Sequence, residues 1–403
     1  MHMNLEDKKV KYLIGHGGMA LKSHQLLPYD SLVCDFLSDL STILLRDIDS
    51  KKYPDIVTFA FWCRRANIQA LKKNFNGSHL RVPIGVVFHI APANVPINFA
   101  YSYVFSLLAG NANIVRVPSR DFEQTEIICR GIRKLFNMEK YGPISQMTLL
   151  IKYGHDDQIT STLSSECNAR IIWGGDAAIK DIRKAPISTR SVELVFADRY
   201  SICLINADKI LSATQLELKK LAEDFYNDVY LMDQNACSSP HLILWLGSDE
   251  DAKDAKYKFW QNVSLLVASK YDLKPVNAIE KYTLLCEQAI VLNDISNFEQ
   301  FGNFIYRLEL SKLPENMDSC RGKYGFFYEH VISDINNVSH IINAKYQTLT
   351  YYGVEKALLS DFVVQNHLIG IDRIVPIGAA LDIGVIWDGY DIVRCLSRIV
   401  DIK

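Results

Sequence analysis

The feature that most constrains this chain is the alternation, through its first half, of short β-branched apolar runs with longer helical patterns. Residues 85–90 read as a strand, 97–108 as a helix and 113–117 as the next strand. An amphipathic helix over 123–136, a strand over 147–152, a helix after His155, a strand over 169–173 and a helix after Gly175 continue the series. Parallel strands need a crossover of a dozen or more residues, usually a helix, and their near-continuous apolar runs require cover on both faces. The pattern therefore predicts an α/β protein with a mainly parallel sheet. A further strand over 200–205 precedes a long helix over 213–230 and a polar loop over 232–240. A strand over 241–246 and a charged helix over 249–269 then open a second α/β unit, and 302–321 reads as irregular. No internal repeat or low-complexity linker interrupts the chain, and the junction is expected near 206–212. The expected domains are 1–208, 209–385 and a C-terminal segment 386–403 that either returns to the first domain or serves an oligomer interface.

Formal net charge is -2, which gives no reason to expect nucleic acid or an acidic membrane surface as partner. The nine cysteines are widely spaced, odd in number and free of any Cys-x-x-Cys pair. That argues against a disulfide framework or structural zinc, so no metal site is expected and a reducing cytoplasm is the natural compartment. Charged residues follow Met1-His2-Met3 without a signal-peptide apolar stretch. The most apolar run, 95–109, contains Asn98, Ser102 and Ser106 and is shorter than the ~20 residues of a membrane span, so a buried helix is expected.

Two segments carry chemistry. In the first, Pro92 and Pro96 stiffen a loop leaving a strand, with Asn94 between them. The Asn94 amide either donates to a developing oxyanion or caps the following helix. In the second, Asp233-Gln-Asn-Ala-Cys237-Ser-Ser-Pro240, a cysteine stands in a polar loop between helix and strand rather than on an apolar face. A thiolate there can form a thioester and divide a hard reduction into two easier steps. Pro-x-Asn-x-Pro after a strand, Ala-Gly-Asn before the next, a basic residue six positions beyond that Gly, and Gln-x-x-Cys about 140 residues after Asn94 reproduce the layout of the aldehyde dehydrogenase superfamily. More closely, Phe88-His-Ile-Ala-Pro-Ala-Asn-Val-Pro96, Ala109-Gly-Asn-Ala-Asn-Ile-Val-Arg-Val-Pro-Ser119, Trp173-Gly-Gly-Asp176, the cysteine loop and Trp387-Asp-Gly-Tyr-Asp391 resemble the LuxC-type acyl-CoA reductases.

That resemblance implies an aldehyde dehydrogenase-like fold: two Rossmann-like parallel-sheet domains with the active site at their junction. It implies NADPH-dependent reduction of a long-chain acyl-CoA, or an acyl-protein thioester, to the fatty aldehyde. Cys237 aligns with the nucleophile and Asn94 with the oxyanion donor; Glu193 stands near the water-activating glutamate of hydrolytic members, although the Gly-Gly that follows it there is Val195-Phe196 here. Cofactor contacts are implied at Ala91, Pro92, Arg116, Ser119, Arg120, Gly174 and Gly175. Where NAD-dependent relatives often carry lysine and glutamate, this chain has Arg116 and Ser119; a serine beside Arg116 and Arg120 accepts a 2′-phosphate that a carboxylate would repel. Asp176 reads as a helix cap. His241 either holds Cys237 partly as thiolate or caps its strand, and His89 sits in an apolar strand. The stripe Phe99, Tyr101, Tyr103, Phe105 is expected to mix core with acyl-pocket wall. The resemblance further implies a homo-oligomer and an acyl-protein synthetase or transferase partner. Two other readings stay open: an oxidative NAD(P)-dependent aldehyde dehydrogenase, and an acyl-Cys acyltransferase subunit of a fatty-acid reductase complex.

Overall fold

A computed structural model describes residues 9–23, 26–75, 77, 79–93 and 95–403. It divides into two compact units, residues 1–197 with 390–403, and residues 198–389.

In the first unit, strands β1 (Lys11–Ile14), β3 (Val86–Ile90), β4 (Ala112–Arg116), β5 (Thr148–Lys152), β6 (Ala169–Trp173) and β7 (Val192–Phe196) form one sheet, ordered β1-β5-β4-β3-β6-β7. Only β1 runs antiparallel, against β5; the other pairs are parallel. Strands β3 and β6 are buried at every residue, as a sheet covered on both faces demands. The helix Asn98–Leu108 follows β3 and is almost wholly buried. Its stripe lies in the core: Tyr101 packs edge-on against Phe59 and Trp62, and Phe105 against Trp62. The expected pocket wall is thus core, because the helices Ser31–Arg46 and Pro54–Trp62 cover that face. Strand β2 (Leu80–Pro83) pairs antiparallel with Ser397–Val400, so the chain's last strand lies in the first unit.

The Ala109-Gly-Asn-Ala-Asn113 turn explains itself here. Gly110 has φ +83°, and a Cβ there would stand 2.5 Å from the Leu26 carbonyl oxygen. Asn111 accepts from the Gly85 N–H (3.0 Å) and donates to the Leu396 carbonyl (2.8 Å), tying the last strand to the sheet. Asn113 donates to the Asn111 carbonyl (2.7 Å), so its oxygen faces His89 Nε2 at 3.0 Å. Trp173 Nε1 donates to Ser102 Oγ (3.0 Å), leaving the Ser102 hydroxyl proton for His89 Nδ1 at 2.8 Å. This one-way chain fixes the proton of a neutral His89 on Nε2. Burial pushes the His89 pKa down to about 4.

The second unit is a seven-stranded sheet: β8 (Tyr200–Asn206), β9 (Pro240–Leu246), β10 (Ile295–Phe301), β11 (Ile305–Leu310), β12 (Phe326–Ile332), β13 (Tyr346–Tyr352) and β14 (Arg373–Pro376), in the order β10-β11-β12-β9-β8-β13-β14. Only β10 is antiparallel to its neighbour. Two corrections follow. The strand at 200–206, expected at the end of the first domain, belongs to the second sheet, so the division falls at 197/198 rather than 208. The stretch read as irregular contains β11, hidden by a charge at its centre. Arg307 is buried there and pairs with the buried Glu329 (2.8 Å), which also accepts from Trp245 Nε1 (2.8 Å) and Trp260 Nε1 (2.7 Å). A buried charge is tolerated when its partner and remaining lone pairs are all used. The helix Gln215–Val229, which leads to the cysteine loop, starts with a full capping box between Thr214 and Glu217.

Candidate active site

Cys237 lies in the loop between the helix Gln215–Val229 and β9, and is half-buried. The loop is held by its first two residues, both in the left-handed region: Asp233 at φ +53° and Gln234 at φ +61°. The Gln234 amide is 1% exposed and uses all four of its bonding positions. Nε2 donates to the carbonyls of Pro240 and Phe326 (both 3.0 Å), while Oε1 accepts from the N–H groups of Gly325 (3.1 Å) and Phe326 (3.2 Å). Asp233 accepts from the Tyr271 hydroxyl (2.6 Å). At the far end, Ser201 Oγ donates to the Cys237 carbonyl (2.6 Å), and Ser239 Oγ donates to the Asp228 carbonyl (2.6 Å). The glutamine of Gln-x-x-Cys is therefore the anchor of the loop, a role the sequence reading missed. Its signal was present: a large amide three residues before the cysteine, at the turn of a short loop.

Burial pushes the Cys237 thiol up, a hydrogen bond from the Arg199 backbone N–H pulls it down, and the charges of Asp198 and Asp388 raise it further. The resting group is a thiol. His241 does not change that through charge. It is buried, stacked on Tyr200 with ring centroids 5.3 Å apart, and burial with the nearby Arg321 charge lowers its pKa to about 3. Neutral at physiological pH, it sits in β9 as a strand residue.

Glu193 is a correction. It stands on β7 opposite Arg170 on β6, and Arg170 Nε donates to it at 2.8 Å. Arg183 Nε donates to its other oxygen at 2.7 Å. Burial raises its pKa, but the hydrogen bonds and charges of the two arginines outweigh that and hold the carboxyl below its ordinary value. A carboxylate gripped by two guanidiniums is a structural ion pair and a poor proton acceptor. Arg170, 2% exposed, also donates to the Ala185 carbonyl (2.7 Å) and Ser164 Oγ (3.0 Å).

The other expected residues, with one exception, gather in the first unit at the carboxyl ends of its strands. Ala91 and Pro92 follow β3, Arg116 ends β4 with Ser119 and Arg120 just beyond, and Gly174-Gly175 follow β6. Strand order runs outward from β3 in both directions, and the crevice at such a reversal is where open α/β sheets bind ligands. The Ala91 N–H donates to the Arg116 carbonyl (3.2 Å), joining the first two turns. Arg116 donates to the Gly154 carbonyl (3.0 Å) with its guanidinium 4.5 Å from the Tyr153 ring centroid, while Ser119 and Arg120 are exposed. Nothing stands within 4 Å of a Cβ built on Gly175, so the backbone there is open to close approach. Gly175, not Asp176, occupies the helix-cap position, and Asp176 is the first helical residue. Asn94 lies outside the described residues. Among the described residues no His, Cys, Asp and Glu cluster is arranged to hold a metal ion, and no helix is long and apolar enough to cross a membrane.

The architecture is that of the aldehyde dehydrogenases. Aldehyde dehydrogenase 21 of Physcomitrella patens superposes with TM-score 0.66 at 11% identity, covering 94% of this chain and 86% of that one. An NAD-dependent benzaldehyde dehydrogenase of Corynebacterium glutamicum superposes with TM-score 0.61 at 12% identity, covering 98% of each. Within that fold the sequence is more specific. The acyl-CoA reductase (LuxC) family profile matches residues 55–401, and the chain belongs to that family. It is 24% identical over 330 residues to the long-chain acyl-protein thioester reductase of Photobacterium phosphoreum, and 24% identical over 341 residues to that of Vibrio harveyi. Each alignment covers 79% of this chain but only 62% and 63% of those proteins.

Proposed function

We propose that this protein reduces an acyl thioester, either acyl-CoA or an acyl group carried on a protein, to the aldehyde with NADPH, through an acyl thioester on Cys237. The observation that carries the reading is the half-buried thiol at the head of β9, in a loop pinned by Gln234. The Cys237 sulfur attacks the acyl carbon and the donor's thiol leaves. In this reading the Cys237 backbone N–H and Asn94 stabilise the oxyanion; losing one such donor typically costs about 10²–10³ in rate. NADPH supplies the hydride that converts the acyl-cysteine to aldehyde. The carboxyl edge of β3, β4 and β6 suits it: open backbone at Gly175 for the pyrophosphate, and Ser119 with Arg116 and Arg120 for a 2′-phosphate. The first unit is thus the cofactor domain and the second the catalytic domain.

The oxidative reading would need a water-activating carboxylate. Glu193 in its double ion pair does not supply one. Long-chain acyl donors, a homo-oligomer and an acyl-transferring partner follow from the family as parts of the same proposal.

The test is NADPH oxidation by purified protein with a panel of acyl-CoAs, wild type beside Cys237→Ala. Turnover that prefers NADPH and vanishes in the variant supports the reading and ranks the chain lengths. Activity surviving in Cys237→Ala sinks the covalent route. No turnover despite tight NADPH binding points to a protein-bound donor.

A further inference from the structure

The buried polar chain of the first unit takes no part in the thioester chemistry, yet it ends beside the turns at the carboxyl edge of the sheet. We propose that Ser102 is a positioning residue of the cofactor site. Its one hydroxyl holds the Ala91-Pro92 turn and the Gly174-Gly175 turn at a fixed spacing, and NADPH binding depends on that spacing. The proposal rests on the cofactor reading above. Ser102 itself lies beneath the turns and acts on them through His89 and Trp173.

Three adjacent strands and one helix meet in this chain. In the order β4-β3-β6, His89 on β3 is level with Val115 on β4 and with Ile171 on β6. Asn113 lies two residues before Val115 and Trp173 two residues after Ile171, so His89, Asn113 and Trp173 share one face of the sheet. The helix Asn98–Leu108 places Ser102 between two of them. Trp173 Nε1 donates to Ser102 Oγ (3.0 Å), Ser102 Oγ donates to His89 Nδ1 (2.8 Å), and His89 Nε2 donates to Asn113 Oδ1 (3.0 Å). All four residues are buried. His89 stands two residues before Ala91, and Trp173 immediately precedes Gly174. The indole also stacks on Phe196 with ring centroids 3.7 Å apart, and the Phe196 carbonyl accepts from the Gly174 N–H (3.1 Å). Tyr390 packs edge-on against Phe196 at 5.7 Å, which gives the Trp387-Asp-Gly-Tyr-Asp segment a place in the same support.

Packing a helix on a sheet does not require this chemistry. An apolar contact tolerates a small slide, whereas a hydrogen bond is directional and a fully bonded polar network specifies one arrangement. Ser102 accepts on its β6 side and donates on its β3 side, and alanine does neither. Its loss leaves the indole N–H and His89 Nδ1 without partners in a buried site, and these are the last supports before the two turns. The helix itself stays docked, because the hydroxyl of the next residue, Tyr103, is bonded to Thr148 Oγ1 on β5 (2.9 Å). The cut therefore falls on the spacing of β3 and β6 at their carboxyl ends.

The test compares full-length wild type with Ser102→Ala, Ser102→Thr and Trp173→Phe by two readouts. The first is calorimetric titration with NADPH and with 2′-AMP, which carries the 2′-phosphate but no pyrophosphate. The second is hydrogen exchange, without cofactor, in peptides spanning 89–97 and 173–180. In Ser102→Ala we expect NADPH to bind about ten-fold more weakly and 2′-AMP to stay within about two-fold, because only NADPH must meet both turns at once. Exchange should quicken in both peptides, and threonine, which keeps the hydroxyl, should restore most of both readouts. Trp173→Phe keeps the ring without the N–H, so exchange should quicken at 173–180 alone while NADPH again weakens more than 2′-AMP. That variant carries the test if Ser102→Ala does not fold. A merely structural role would weaken both ligands alike and quicken exchange throughout the unit. That result, or NADPH affinity within about two-fold of wild type in Ser102→Ala, overturns the proposal. If wild type binds no NADPH, the cofactor reading fails by itself, and the exchange pattern still decides whether Ser102 couples the two turns.

Discussion

Replacing Gln234 by methionine tests whether one buried amide holds the nucleophile loop in place. Methionine matches glutamine in length and closely in volume and leaves little cavity, so the change isolates the hydrogen bonds. The Gly325 N–H would lose its acceptor, the Phe326 N–H would keep only the Lys323 carbonyl (3.1 Å), and two carbonyls, at Pro240 and Phe326, would lose a donor. An orphaned buried donor costs about 1–3 kcal/mol, and a carbonyl with a second lone pair costs less. The expected loss is therefore about 2–3 kcal/mol, a sizeable part of the stability of an ordinary domain. Because Gln234 joins the cysteine loop to the head of β12, the loss should appear first as faster hydrogen exchange in peptides spanning 320–330. Urea unfolding gives the magnitude. Gln234→Glu should be worse than methionine, since it sets a carboxylate against two carbonyl oxygens in a buried site. NADPH-dependent turnover should fall with stability in both variants. A Gln234→Met protein within about 1 kcal/mol of wild type, with normal exchange at 320–330 and normal turnover, would refute the anchor.

Two further outcomes are expected. His89 titrates near 4 in the fold against about 6.5 in an unfolded chain, so the unfolded state binds the extra proton in between. Its share of stability is complete above about pH 6.5 and is lost as pH falls towards 4, at up to about 1.4 kcal/mol per pH unit. The difference between wild type and His89→Gln in urea midpoint should therefore shrink as pH falls from 7 to 4.5; a pH-independent difference contradicts the buried neutral imidazole. Ser119→Glu should raise the KM for NADPH about ten-fold or more while leaving that for NADH nearly unchanged, because the new carboxylate meets only the 2′-phosphate. Equal shifts for both cofactors would remove Ser119 from the cofactor site.

Local order was legible because it is written in local periodicity. The strands at 86–90, 112–116, 148–152 and 169–173, and the helices between them, follow from apolar runs and their spacing. The same holds for the helix before the cysteine loop. What escaped the sequence depends on neighbours distant in the chain. Glu193 reads as a possible base until β7 is set in register with β6, which puts Arg170 directly opposite. Arg307 reads as a break in a strand until Glu329 on β12 and two tryptophans answer it. Asn111 reads as part of a turn until Leu396, 285 residues later, proves to be its partner. In each case a polar residue is ambiguous alone, because burial makes it costly unless a specific partner is present, and only the fold supplies the partner. The same reasoning ranks the candidate site. Cys237 and Gln234 were close enough in sequence to be read as a unit, and their loop could be suspected from its residues. Ser201, which holds the Cys237 carbonyl, lies 36 positions before the cysteine, and its place at the loop follows only from the sheet order that sets β8 next to β9.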